Sequence, residues 1–169
     1  MARQKYYAYR TLTSMWFTGA IWLYLYRIFI TDQQVGILDG MAFAMGLLAE
    51  VPSGALADKF GRDKVVRLGL LLTGSGLLLQ SIGGSFMPFF VGQAILMIGI
   101  SFVSGADEAS FLSSSNSIRI PLIGEKLVTL GSQVALIGTV VALVMGGWLH
   151  TINPRIPWIL NGLVFSLLR

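Results

Sequence analysis

Residues 54–64 read Gly54-Ala55-Leu56-Ala57-Asp58-Lys59-Phe60-Gly61-Arg62-Asp63-Lys64, a polar segment set between two long apolar runs. Acids and bases alternate within it, and glycines stand near both ends. Asp58 is placed to accept hydrogen bonds from the start of the following segment or from Arg62, and the planar Arg62 guanidinium can fork onto a carboxylate. On either side, residues 35–56 and 65–84 are almost wholly apolar. A run of roughly 20 apolar residues crosses a bilayer core of about 30 Å. The segment is therefore the tight turn of a membrane hairpin.

The same pattern repeats outward. Apolar spans are expected at residues 12–30, 35–56, 65–84, 88–111, 127–149 and 156–169. All are predicted to be helices, because lipid offers the backbone no hydrogen-bond partner and an open sheet would leave edges unpaired. The fold class is all-α integral membrane, a single bundle over residues 1–169 with no soluble domain. The last span, at about 1.5 Å per residue, reaches only about 21 Å, so the reading is of five complete spans and a sixth that is cut short. Composition agrees. The chain is 54% hydrophobic and 12% charged, with a mean hydropathy of +0.73, whereas soluble domains carry about 25% charged residues.

Several function classes lose support on the same grounds. With no cysteine there is no disulfide, thiol nucleophile or thiolate-bound metal. The single histidine, His150, stands at a span end and reads as an interfacial residue. No cofactor or metal is expected, and no enzyme constellation of His, Cys and acids is present. A loop of the form Gly-x-x-x-x-Gly-Lys-Ser/Thr does not occur in these residues, so direct ATP drive has no support. Met1–Arg10 is basic and precedes an apolar stretch, like a signal peptide. That stretch is long, contains Trp16, Trp22, Tyr24 and Tyr26, and has no small-residue cleavage site, so it reads as a retained first span.

The net charge of +4 does not imply nucleic acid, because the cations occupy alternate short loops. Arg3, Lys5 and Arg10 precede the first span; Lys59, Arg62, Lys64 and Arg67 follow the second; Arg119 and Lys126 follow the fourth. The opposite side has only Arg27 and Arg155. The positive-inside bias predicts a multi-pass protein of the plasma membrane with a cytoplasmic amino terminus.

Within the spans, Gly69, Thr73, Gly76, Gln80 and Gly83 form one stripe, and Gly131, Ala135, Gly138, Ala142 and Gly146 another. Such stripes let helix backbones approach closely in lipid, as static packing or as a sliding interface. Asp39 and Glu50 are separated by about 20° on a helical wheel and share a face with Gly46. Glu50 is the deeper, a candidate proton carrier or a partner for the cytoplasmic turn; Asp39 reads as solvated near the outer end. Gln93, Met97, Ser101, Ser104, Asp107 and Glu108 occupy an arc of about 120° on the fourth span, which argues for a water-accessible face. Gln93, Ser101, Ser104 and, near the outer end of the first span, Arg27 are the candidate cavity residues; for Arg27 the alternative is snorkelling to the interface. The aromatics of the first span read as an interfacial belt.

Residues 54–64 resemble the signature of the major facilitator superfamily between its second and third helices, roughly Gly-x-Leu-Ala-Asp-Arg/Lys-x-Gly-Arg-Arg/Lys. Gly54, Leu56, Ala57, Asp58, Lys59, Gly61 and Arg62 fit; Asp63 departs, and Lys64 supplies the cation one position later. Glu50-Val-Pro-Ser and Ser104-Gly-Ala-Asp107-Glu108-Ala are also similar to bacterial members. The resemblance implies a six-helix bundle of two inverted three-helix repeats, and a substrate cavity shared with a second, carboxyl-terminal six-helix bundle. It implies alternating access coupled to an ion gradient, with a small-molecule substrate, protons and the lipid bilayer as partners. It also implies a latch in which Asp107 or Glu108 meets Arg62. The fifth span lacks the Gly-Pro pair of the family's antiporters, which leaves import and efflux both open. The competing reading is a truncated membrane protein that binds a partner and transports nothing.

Overall fold

The computed structural model describes the backbone of residues 2–115 and 121–168, and the side chains of residues 7–104 and 129–168. Among the described residues there are seven helices and no strand: α1 (Ala2–Ser14), α2 (Trp22–Arg27), α3 (Asp32–Phe60), α4 (Arg62–Ile82), α5 (Phe86–Ser115), α6 (Pro121–Ile152) and α7 (Ile156–Leu167). Four stretches are long and apolar enough to cross a membrane, namely α3, α4, Phe86–Ser104 of α5 and Thr129–Ile152 of α6.

The connections explain the antiparallel order. Thr31 begins α3 with a capping box, its hydroxyl accepting from the Gln34 amide while the Gln34 side chain accepts from the Thr31 N–H. A single residue, Gly61, joins α3 to α4. Its φ of 92° lies where a side chain is strained, so glycine suits this sharp reversal. The α6–α7 turn is held by Asn153, whose Oδ1 accepts from the Arg155 amide at 2.9 Å.

α4 is the centre of the packing, with α5 on one side and α7 on the other; α3 lies against α5, and α1 against α6. The α4 stripe meets glycines of α5 in antiparallel register. Gly69 faces Gly99 and Gly76 faces Gly92, and a Cβ on Gly76 would stand 2.6 Å from the Gly92 carbonyl oxygen. The α6 stripe faces the first span, with Gly138 against Thr11 and Gly146 against the Phe17 backbone. Leu25, Tyr26, Leu38, Leu77, Phe89 and Trp158 are fully or almost fully buried at the core. Aliphatic faces of α3 and α6, including Leu48, Val51, Ile137 and Val144, are exposed in this chain.

The expected continuous span over residues 12–30 is corrected. The first span is divided into α1 and α2 by residues 15–21, which run through short turns. With it the expectation of five complete spans falls to four of full helical length among the described residues. The cause is local competition followed by tertiary rescue. Thr11, Thr13 and Ser14 hydroxyls bond back to the carbonyls of Tyr7, Tyr9 and Arg10, which loosens the helix end. Neighbouring helices then supply the lost partners. Thr139 of α6 donates to the Ser14 carbonyl at 2.9 Å. Asn161 of α7 donates to the Met15 carbonyl at 2.9 Å and accepts from the Thr18 N–H at 3.1 Å. Backbone groups freed in lipid must be satisfied in this way.

Candidate functional site

Beside the interrupted span lies a cavity of about 270 Å³. Trp16, Trp22, Tyr26, Phe43 and Trp158 give it aromatic walls, and Thr18 and Gly19 of the break line it as well. Asp39 and Gln93 are its polar residues from α3 and α5, and among the described residues Asp39 is the only charged one that lines it. Each lies seven residues from the start of its helix. At about 1.5 Å per residue both are about 10 Å in from the end opposite the Gly61 turn.

These groups form one hydrogen-bonded chain. The Gln93 Nε2–H donates to Asp39 Oδ1 at 3.1 Å. The Tyr26 phenol is bonded to the side-chain amide of Gln80, and it lies 3.3 Å from Gln93 Oε1. One phenol proton cannot be donated twice. If the Gln80 amide is turned about, its Nε2 donates to the phenol oxygen and the phenol donates to Gln93 Oε1. Gln80 Nε2, otherwise buried without a partner, is then satisfied. Read this way, every donor in the chain points towards Asp39. Tyr26, Gln80 and Gln93 are all buried, and such a network holds its members firmly in a medium of low dielectric.

Of the candidate cavity residues, Gln93 lines the chamber. Ser101 instead joins two helices, its hydroxyl donating to the Gly46 carbonyl at 2.7 Å. Ser104 lines a second cavity of about 240 Å³, with Arg10, Thr73 and Phe165. Arg27 is absent from the chamber's lining; its guanidinium is bidentate on Asp32 at 2.7 and 2.9 Å. Glu50 is exposed and is not brought near Asp39. The reading of Asp39 as simply solvated is corrected, since Gln93 reaches it across the α3–α5 contact. Likewise Tyr26 is not part of an interfacial belt but fully buried.

In the turn, Gly54, Asp58, Lys59, Gly61, Arg62 and Lys64 are all exposed. Asp58 does not cap α4, which has no side-chain cap, and no ion pair joins it to Arg62 among the described residues. The pairing would need a regular helical path from Asp58 to Arg62, and Gly61 leaves that path between them. Lys59 lies over the Phe60 ring at 5.3 Å. The side chains of Asp107 and Glu108 lie outside the described residues.

Sequence reasoning missed Tyr26, Asp39, Gln80 and Asn161. The available signal was polarity. Gln80 and Asn161 are amides inside apolar spans, where an unpartnered polar group is costly.

The chain is 27% identical over 146 residues to the tetracycline resistance protein, class B, of Escherichia coli, a match covering 83% of this chain and 35% of that protein. It is 32% identical over 92 residues to an uncharacterized transporter of Buchnera aphidicola subsp. Schizaphis graminum, covering 53% and 24% respectively. The matches thus span about a quarter to a third of these relatives. No family model and no solved structure matches. Distant similarity to bacterial transporters, together with the apolar helices, supports a multi-pass membrane protein of the transporter class.

Proposed function

We propose that the chain forms one bundle of a secondary active transporter of the major facilitator type, moving a small organic molecule by alternating access driven by a proton gradient. The observation that carries this reading is the chamber at the interrupted first span. Irregular backbone at membrane depth is tolerated where it is enclosed in protein or lines a cavity, and secondary transporters build their sites at discontinuous helices. Part of the helix pairing supports an inverted repeat. Exchanging the first three spans with the second three carries the α3–α5 contact onto α6–α1, and α4–α7 onto itself, while the extensive α4–α5 contact corresponds only to the slight α1–α7 one. The resemblance of residues 54–64 supports the family. Similarity to a tetracycline resistance protein supports a drug-sized substrate. In this reading the other wall of the path comes from a second bundle, and Asp58 and Arg62, with Asp107 or Glu108, latch the cytoplasmic side.

The test is flux in proteoliposomes by the full-length native protein, with and without an imposed proton gradient. Saturable, gradient-dependent movement is expected. In parallel, cysteines introduced as Ser85→Cys and Asn153→Cys should react with an impermeant thiol reagent outside intact cells, while Gly124→Cys should not. Absence of flux under every gradient would leave a membrane protein that binds partners without transporting. The reverse labelling pattern would overturn the cytoplasmic amino terminus.

A further inference from the structure

We infer that the chamber is a binding site for an organic cation of the quaternary or substituted ammonium class, held between the aromatic walls and Asp39. This deepens the transporter reading and rests on it. Asp39 is half-buried, and among the described residues its one side-chain hydrogen bond is the Oδ1 contact from Gln93. A carboxylate in a place of low dielectric is stabilised in its charged form by a positive charge beside it, and among the described residues no cation is paired with Asp39. Arg27 is committed to Asp32. Arg155 donates to the Gly83 carbonyl and lies over the Phe29 ring at 5.5 Å. A cationic occupant would supply that charge.

The walls select what kind of occupant. Aromatic faces attract cations through the ring quadrupole, most strongly when the site is desolvated and the ring is an indole. Trp16, Trp22 and Trp158 line the chamber, three of the four tryptophans in the chain. An inorganic cation would keep its water or need several oxygen ligands, and one carboxylate among indoles does not supply them. An anion would meet the carboxylate and the negative ring faces together. A weakly hydrated organic ammonium satisfies both the charge and the apolar walls.

The probe is benzyltrimethylammonium, with its uncharged carbon isostere neopentylbenzene and the anion benzenesulfonate as comparisons. Binding to the purified full chain in phosphatidylcholine nanodiscs is read by equilibrium dialysis and by tryptophan fluorescence. Zwitterionic lipid avoids adsorption of the cation to the bilayer. The cation should bind at least about tenfold more tightly than the isostere, reflecting its Coulomb attraction to the carboxylate and its contact with the ring faces, and benzenesulfonate should not bind. Asp39→Asn, which can still accept from Gln93, should weaken cation binding at least about tenfold and leave the isostere unchanged. Trp22→Leu should weaken it by about threefold to tenfold. Equal affinity for cation and isostere in the unaltered protein would overturn the inference, and that comparison needs no variant to fold. Undiminished cation binding by a folded Asp39→Asn protein would overturn it too. Gradient-driven flux of another solute without cation binding would remove the ligand class and leave the transporter reading standing. Cation binding without flux would do the opposite.

Discussion

The α4–α5 interface and the first span both rely on small residues to bring backbones together, yet one closes and the other opens. Between α4 and α5 the helices are continuous, and glycine meets glycine at two levels, Gly69 with Gly99 and Gly76 with Gly92. Where the glycines meet, no room is left for a ligand. In the first span the backbone leaves the helix, its groups are satisfied by Asn161 and Thr139 from other helices, and the large residues at the break, Trp16 and Trp22, stand around a space. Close approach by itself gives packing. A chamber arises where close approach is combined with interrupted backbone and bulky side chains that cannot collapse into the gap.

The largest effect should come from spoiling the closed region. In Gly76→Leu the new Cβ would stand 2.6 Å from the Gly92 carbonyl oxygen and 2.7 Å from the Leu96 amide nitrogen. These are backbone atoms of a well-packed helix, so relief requires the helices to part, at about 3 kcal/mol or more. Solubilised protein should lose its monodisperse elution peak. A variant that elutes and melts like the parent would mean that α4 and α5 are not in this register.

Disturbing the open region should cost somewhat less. Asn161→Leu removes both side-chain bonds to the break, leaving the Met15 carbonyl and the Thr18 amide without those partners. Each such buried group costs at least about 1 kcal/mol, so a destabilisation of about 2 kcal/mol or more is expected. Hydrogen exchange at the Thr18 amide should accelerate with it, while amides in the middle of α4 keep their protection. Uniform acceleration at both places would erase the distinction between the two regions.

The turn at Gly61 separates backbone effects from packing. No atom lies near a Cβ placed there, so Gly61→Ala should cost only the backbone strain of its positive φ, about 1–3 kcal/mol. A small drop in thermal midpoint with unaltered ligand binding is the expected result. A collapse comparable to that of Gly76→Leu would show that the turn is pressed against something outside these residues.

The contrast also explains what could be read before the structure was known. The spans at α3, α4, α5 and α6 announce themselves through length and apolarity, because the bilayer imposes both. The stripes of α4 and α6 were visible as spacings, but their partners were not, since spacing says nothing about which helix lies opposite. The break was hidden because residues 15–21 are as apolar as their surroundings. Its cues, hydroxyls at 11, 13 and 14 and an amide at 161, acquire meaning only when α7 is seen beside α1. Asp39 was misread for a related reason. Its depth along α3 could be estimated, but the bond from Gln93 depends on how α3 and α5 meet.

The Asn161 clamp has a bearing on how the protein is made. Thr18 and its partner are separated by 143 residues. At a synthesis rate of about 5–20 residues per second, roughly 7–30 s pass between the appearance of one and the other. Throughout that interval the nascent first span has no amide from α7 to receive its unwound backbone. It must stay helical, or remain beside water or the insertion machinery, until α7 arrives. The chamber therefore cannot be completed before α7 has been made. A ribosome stalled before Asn161 would release a chain whose outer helices can insert but whose binding site has not been assembled.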